Sequence, residues 1–295
     1  MVTFLIIAQY FVAATVDVFD KFLISKRKLE PYAYTFFTVG LGLLYLAIWP
    51  WVYQPLPWHV VSINLASGLV YALTMFVFFK ALSQGEVSRV IPFVFGLVPV
   101  FDMFFVWLTG RNALSLTEFS ALCLLLPGAL LISYRKENFS AKHIGTKILA
   151  SFLFSFYYLI WQYGNQSGSL LNHLMWDRLA AGGILFLLLF LPAFRKKVLN
   201  SSQVPKRTQT TGLFLLKQAV GGLNFIFFSW LLVVGKIPLV NGLQGFRYLF
   251  LFLASLFLSR KYRHVLDEET SRHSVGLKLA ALALIFLGTL ILFVF

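Results

Sequence analysis

The chain has 295 residues, 59% of them hydrophobic, 18% aromatic and only 12% charged. Soluble domains carry about 25% charged residues, so this composition excludes a cytosolic globular enzyme, a disordered tail and a secreted disulfide scaffold. The net charge of +14 would point to nucleic acid in a soluble protein. Here the basic residues cluster between long apolar runs, where they orient a chain in a bilayer and imply no nucleic-acid partner. The single cysteine, Cys123, lies inside such a run and has no partner for an internal disulfide.

A helix crossing a hydrocarbon core of about 30 Å needs about 20 apolar residues. By that measure ten spans are predicted, at 3–24, 32–53, 59–82, 88–109, 115–134, 145–164, 171–194, 211–234, 238–259 and 275–295. The connections carry turn chemistry: Pro31, the QPLP stretch at 54–57, Gly85, Gly110, Gly164 and Gly168, and Gly235 with Pro238. The longest, 195–210 and 260–274, are too small for a soluble domain. A β-barrel is disfavoured, since its strands would run about ten residues with strict alternation. The first span has no basic segment before it and no small-residue cleavage pattern after it, so it reads as an anchor and not as a signal peptide.

Lysine and arginine fall unevenly. Lys26, Arg27 and Lys28 follow span one, and Arg135, Lys136, Lys142 and Lys147 lie between spans five and six. Arg195, Lys196, Lys197, Lys206 and Arg207 follow span seven, and Arg260, Lys261, Arg263 and Arg272 follow span nine. Opposite them stand only Arg111 and Lys236. The positive-inside rule then places the odd-numbered loops in the cytoplasm and both termini outside a cytoplasmic (inner) membrane.

Residues 1–138 and 139–295 read as two five-span halves of one membrane domain. Laying residue 1 on residue 143 matches Ala8 with Ala150, Gly40 with Gly182 and Pro50 with Pro192. With small insertions, Gly85 matches Gly235, Glu118 matches Glu268 and Gly128 matches Gly288. An odd number of spans per half inverts the second half, a common plan of secondary transporters with a site between the halves.

The run KALSQGEVSRVIPFVFGLVPVFDMFF (80–105) resembles the third-to-fourth-helix signature of EamA-type members of the drug/metabolite transporter superfamily, and VGKIPLVNGLQGFRYLF (234–250) resembles its second copy. Glu118 and Glu268, ahead of closing helices with Gly128 and Gly288, also fit. The resemblance implies ten helices in two inverted five-helix repeats, a cavity lined by helices 1, 3, 4, 6, 8 and 9, and peripheral helices 5 and 10. Family members often carry a basic residue in the second helix of each repeat. Arg178 matches it in the second, whereas Phe36 stands there in the first. Well-known members place both termini inside, opposite to the loop charges here.

An ionisable group at the centre of a membrane helix costs about 2.5–3.5 kcal/mol, so each needs a reason. Asp17 and Lys21 share a helix face and can pair, or Asp20 and Lys21 reach the cytoplasmic interface. Asp102 sits on a fourth span that Pro92 and Pro99 are expected to break, as helix-break and gating positions. In span nine, Asn241, Gln244 and Tyr248 form a polar stripe with Arg247 beside it. Asn241 and Gln244 read equally as interhelical glue and as cavity lining. Asp102 and Arg247 are expected to face one cavity as an ion pair, with Asp17 as the alternative partner of Arg247. Tyr71, Thr74 and Asn224 are candidate cavity residues. Trp161 and Gln162, in a cluster with Tyr157, Tyr158 and Tyr163, read either as a stacking surface or as an interfacial belt. Lys80 and Lys217 are expected to snorkel. Asp177 and Arg178, about 100° apart on the helix, are not expected to pair.

No metal, nucleotide or dinucleotide motif occurs, and His59, His143, His264 and His273 fall at helix ends or loops. The reading is therefore no cofactor, no metal, no enzyme and no ATPase subunit. The expected partners are membrane lipid and a small-molecule substrate, a polar or amphipathic organic solute such as an amino-acid-like metabolite. The function read here is a secondary transporter working by alternating access, driven by protons or exchange. The alternative is a membrane enzyme acting on a lipid-linked substrate, for which the acids at 267–269 are the one candidate cluster, and these read better as a solvated loop.

Overall fold

The computed structural model describes residues 2–25, 29–108, 115–133, 141–164, 169–199, 208–234, 243–261, 269 and 271–294. The regular elements among them are all helical: α1 (Val2–Ser25), α2 (Pro31–Gly40), a 3₁₀ segment (Leu41–Ile48), α3 (Trp49–Val52), α4 (Trp58–Ser83), α5 (Val87–Leu108), α6 (Leu116–Ser133), α7 (Ala141–Gly164), α8 (Leu170–Leu188), α9 (Pro192–Leu199), α10 (Thr208–Val234), α11 (Gly245–Lys261) and α12 (Arg272–Val294). Seven helical stretches are long and apolar enough to cross a membrane, or eight if α8 and α9 form one bent span. Two more, Phe119–Ile132 and Gly245–Ser259, are apolar but shorter than a full crossing. The chain is an all-helical multi-pass membrane protein, with fewer full-length spans among the described residues than the ten predicted.

Three elements differ from expectation for identifiable reasons. Span seven was predicted to run unbroken to residue 194, but α8 stops at Leu188 and the chain turns by 103° into α9. Pro192 has no amide to return to the Leu188 carbonyl, and it opens a new helix instead. The turn is closed by Phe190 N–H to Leu187 O and Leu191 N–H to Leu188 O, at 3.1 and 3.0 Å. Conversely, α5 is not broken: it runs from Val87 to Leu108 through both Pro92 and Pro99. It is the most enclosed span, 78% of it buried against 11% for Thr211–Phe228, and packing on all sides holds the helix where two backbone bonds are lost. Lys142 and Lys147, expected in a loop, belong to α7, and Lys147 is buried with its ammonium 5.4 Å from the Phe93 ring.

The main core joins both halves of the sequence, with buried side chains from α1, α4, α5, α6, α7, α11 and α12. α4 packs on α7 and α8, α5 on α6 and α7, and α1 on α10 and α11, while α6 and α12 pack on one another. Small residues set the closest approaches. A Cβ on Gly128 would come within 2.8 Å of Ile285, and one on Gly288 within 2.8 Å of Leu125, so the two glycines open the same α6–α12 interface from opposite sides. A Cβ on Gly68 would lie 2.0 Å from the Asp177 carbonyl oxygen, which fixes how near α4 lies to α8.

Candidate functional site

The α1–α11 contact carries a buried ion pair. Arg247 Nε and Nη2 donate to Asp17 Oδ2 and Oδ1, both at 2.9 Å, a fork-to-fork geometry that is among the stronger charge-assisted contacts. The side chains are 15% and 5% exposed. Asp17 lies two-thirds of the way along α1, so the pair sits at membrane depth. The Arg247 guanidinium also stands over the Phe95 ring of α5, 4.5 Å from its centroid. Tyr10, Tyr158 and Tyr248 lie within its electrostatic reach, and the buried Tyr248 hydroxyl has no hydrogen-bond partner.

Of the two partners considered for Arg247, the structure gives Asp17 and not Asp102. Asp102 accepts instead from the Ser155 hydroxyl of α7: α5 touches both α7 and α11, and it is Phe95, two turns before Asp102, that meets Arg247. Thr74 is buried, donating to Val70 O at 2.7 Å and, across to α7, to Leu153 O at 3.3 Å. Gln244 sits in the turn before α11, where its carbonyl accepts from Arg247 N–H at 2.9 Å. Asn224 and Trp161 are half-buried and Gln162 is exposed. Asn241 lies outside the described residues.

A second buried arginine was undervalued in sequence. Arg178, halfway along α8, has its guanidinium over the Tyr71 ring of α4, 3.8 Å from the centroid, and 5.0 Å from that of Phe225 of α10. Its Nε is 3.7 Å from Asp177 Oδ2, so the neighbours do approach one another, though beyond hydrogen-bond length. The 100° separation on the helix wheel ignores how far two long side chains can bend. Asp177 Oδ1 accepts from Ser67, whereas its Oδ2 has no hydrogen-bond partner. Tyr71 also pairs with Tyr157 at 5.2 Å, and Tyr157 with Tyr158 at 5.5 Å. Tyr157 is 2% exposed, so this part of the aromatic cluster faces inward and is no interfacial belt. A row of tyrosines thus runs from Arg178 toward Arg247.

Polar networks also close the end of the bundle from which the basic connections leave. Asp20, expected near the interface, is buried and takes both the Tyr34 hydroxyl and the Lys217 ammonium. Lys217 therefore does not snorkel. Lys21 donates to Leu82 O at 2.7 Å. Glu86 meets Lys278 of α12 at 2.5 Å and Arg89 at 3.0 Å, while Arg89 Nη2 reaches Ser274 at 2.6 Å and Glu269 at 3.3 Å. Glu269 is therefore paired and not merely solvated; Asp267 and Glu268 lie outside the described residues. Burial alone would raise the Glu86 carboxyl, but Lys278 and Arg89 hold it below the usual carboxylate range. At the other end, fully buried His173 shares a 2.8 Å hydrogen bond with Asn64. Apart from Glu86 and Arg89, which are three residues apart, none of these pairs carries a spacing signal, since their members lie tens to hundreds of residues apart.

The EamA-like transporter family model matches residues 1–134, somewhat less than half of the chain and the part that holds the 80–105 run. Over that stretch the chain is similar to EamA-like transporters, as the resemblance read from the sequence implies, and its apolar helices make it a multi-pass membrane protein. A solved crystal structure, described only as that of a protein, is 18% identical and aligns over 99% of this chain and 95% of its own with a TM-score of 0.60. At that identity the likeness is one of fold. No curated protein matches the chain.

Proposed function

We propose that the chain is a secondary transporter of a small organic solute in the cytoplasmic membrane, working by alternating access between residues 1–138 and 139–295 as inverted five-span halves. The observation that carries this reading is the Asp17–Arg247 pair. It is a bidentate ion pair at membrane depth that ties α1 of one half to α11 of the other. A guanidinium there must be compensated, and an anionic group on a solute competes for the same fork. Displaced Asp17 then takes a proton, which couples binding to the proton gradient or to exchange. The packing supports the halves: α4 lies on α7 as α10 lies on α1, and α5 on α7 as α11 on α1. The ionic contacts of Asp20 and Glu86 describe a conformation closed at the basic face, which the positive-inside rule makes cytoplasmic.

Uptake into proteoliposomes tests the reading. Arg247→Ala is expected to abolish transport, and Arg247→Lys to leave it impaired at least tenfold, because the planar fork is lost. Asp17→Asn is expected to retain solute binding and lose its pH dependence. Full transport by a double Asp17→Asn/Arg247→Gln variant would make the pair a structural brace and sink the proposal.

A further inference from the structure

We infer that Arg178 is a carboxylate-binding residue, and that the solute is an organic monoanion whose body lies along Tyr71, Tyr157 and Tyr158. This rests on the transporter reading above and deepens it by naming the chemical class of the solute. The two buried arginines are not equivalent. Arg247 has both oxygens of Asp17 in its fork at 2.9 Å. Arg178 has one carboxylate oxygen, at 3.7 Å from Nε, and the Tyr71 hydroxyl in hydrogen-bonding reach. Asp177 is held back by Ser67. A guanidinium matches a planar carboxylate either through Nε with Nη2, as in Arg247, or through its two Nη donors, and Asp177 approaches Arg178 only at Nε, beyond hydrogen-bond length.

The guanidinium is also fixed in advance. Its face rests on the Tyr71 ring at 3.8 Å, and its stem is confined by Gly42, where a Cβ would approach Arg178 Cδ to 3.3 Å. A cation so placed pays little ordering entropy on binding. Beside it, the Tyr157 hydroxyl is buried without a hydrogen-bond partner. A buried hydroxyl without a partner calls for an explanation, and a bound carboxylate supplies one. The rings of Tyr71, Tyr157 and Tyr158, with centroids 5.2 and 5.5 Å apart and each pair tilted by 47°, supply the aromatic lining against which an organic body packs. Arg178 therefore takes the carboxylate first, and the tyrosine row leads from it toward Arg247, where the proposed displacement of Asp17 follows.

Thermal stabilisation and calorimetric titration of the purified full-length chain in detergent, with benzoate against neutral benzamide at constant ionic strength, test this. Benzoate is expected to bind and raise the melting temperature, and benzamide to do neither. Arg178→Gln should weaken benzoate at least tenfold and Arg178→Lys less. If Arg178→Gln does not fold, Tyr157→Phe keeps the question open to measurement, with a threefold to tenfold loss expected for one hydrogen bond. Equal responses to benzoate and benzamide, no response to benzoate, or an unchanged affinity in folded Arg178→Gln or in Tyr157→Phe would overturn the inference. Benzoate binding that needs Arg178, in a protein that transports nothing, would sink the transporter reading and leave the site standing. Transport that needs Arg247, with benzoate indifferent to Arg178, would do the reverse.

Discussion

At the scale of single residues, charge buried at a helix end is worth most where its partners come from a distant part of the chain. Glu86 is such a residue, 3% exposed between Lys278 and Arg89. Its carboxyl is held below the usual range despite burial, so its stabilisation is complete above the unfolded carboxylate pKa and fades as pH falls through the lower folded value. Glu86→Gln removes the carboxylate that Lys278 and Arg89 share, leaves Arg89 with Glu269, and is expected to cost about 3–5 kcal/mol near neutral pH. The gap between the melting temperatures of wild type and variant should hold down to the unfolded carboxylate pKa of about 4.3 and close only below it, as pH falls through the lower folded value; a gap independent of pH would mean that Glu86 is not the titrating partner. The sequence made Arg247, Asp17 and Asp102 visible, because charge inside an apolar run is conspicuous. It did not make the partner visible, since choosing between Asp17 and Asp102 requires knowing which helix α11 faces. Lys217 and Asp20 were misjudged for a related reason: distance from a helix end is readable, whereas a neighbour that buries the charge is not.

At the scale of elements, hydropathy located every apolar helix but not how each is bent or how near its neighbours it lies. The turn after α8 was legible in Pro192 and was overruled by the apolar residues on both sides of it. The continuity of α5 was not legible, because what keeps a doubly proline-bearing helix unbroken is its packing. The contact at Gly68 makes a sharp test. Gly68→Ala sets a methyl group against the Asp177 carbonyl, which as backbone cannot move aside. Overpacking of this kind costs about 1–3 kcal/mol, and it should part Tyr71 from Arg178. The matched control is Gly183→Ala on the same α8, where a Cβ meets nothing within 4 Å. Thermal denaturation should separate the two variants clearly, and similar stabilities would show that α4 and α8 yield at this contact without cost.

At the scale of the whole molecule, the interior is continuous across residues 138 and 139, with α5 enclosed by helices from both sides of that boundary. Sequence spacing pointed to two units, but an internal likeness carried by a few small residues could not say which surfaces meet. Gly128 and Gly288, matched in sequence, prove to face one another's helices: Gly128 admits Ile285, and Gly288 admits Leu125. Helices α6 and α12 are therefore each other's complement. Two separately translated fragments, 1–138 and 139–295, are accordingly expected to find one another in the bilayer and copurify when coexpressed, with an affinity tag on only one of them. Gly288→Leu, which fills the notch that receives Leu125, should abolish that copurification while leaving the uncut chain assembled, because covalent tethering replaces the lost affinity with a high effective concentration. Recovery of the tagged fragment alone from the unmutated pair would show that the linking segment is required for assembly.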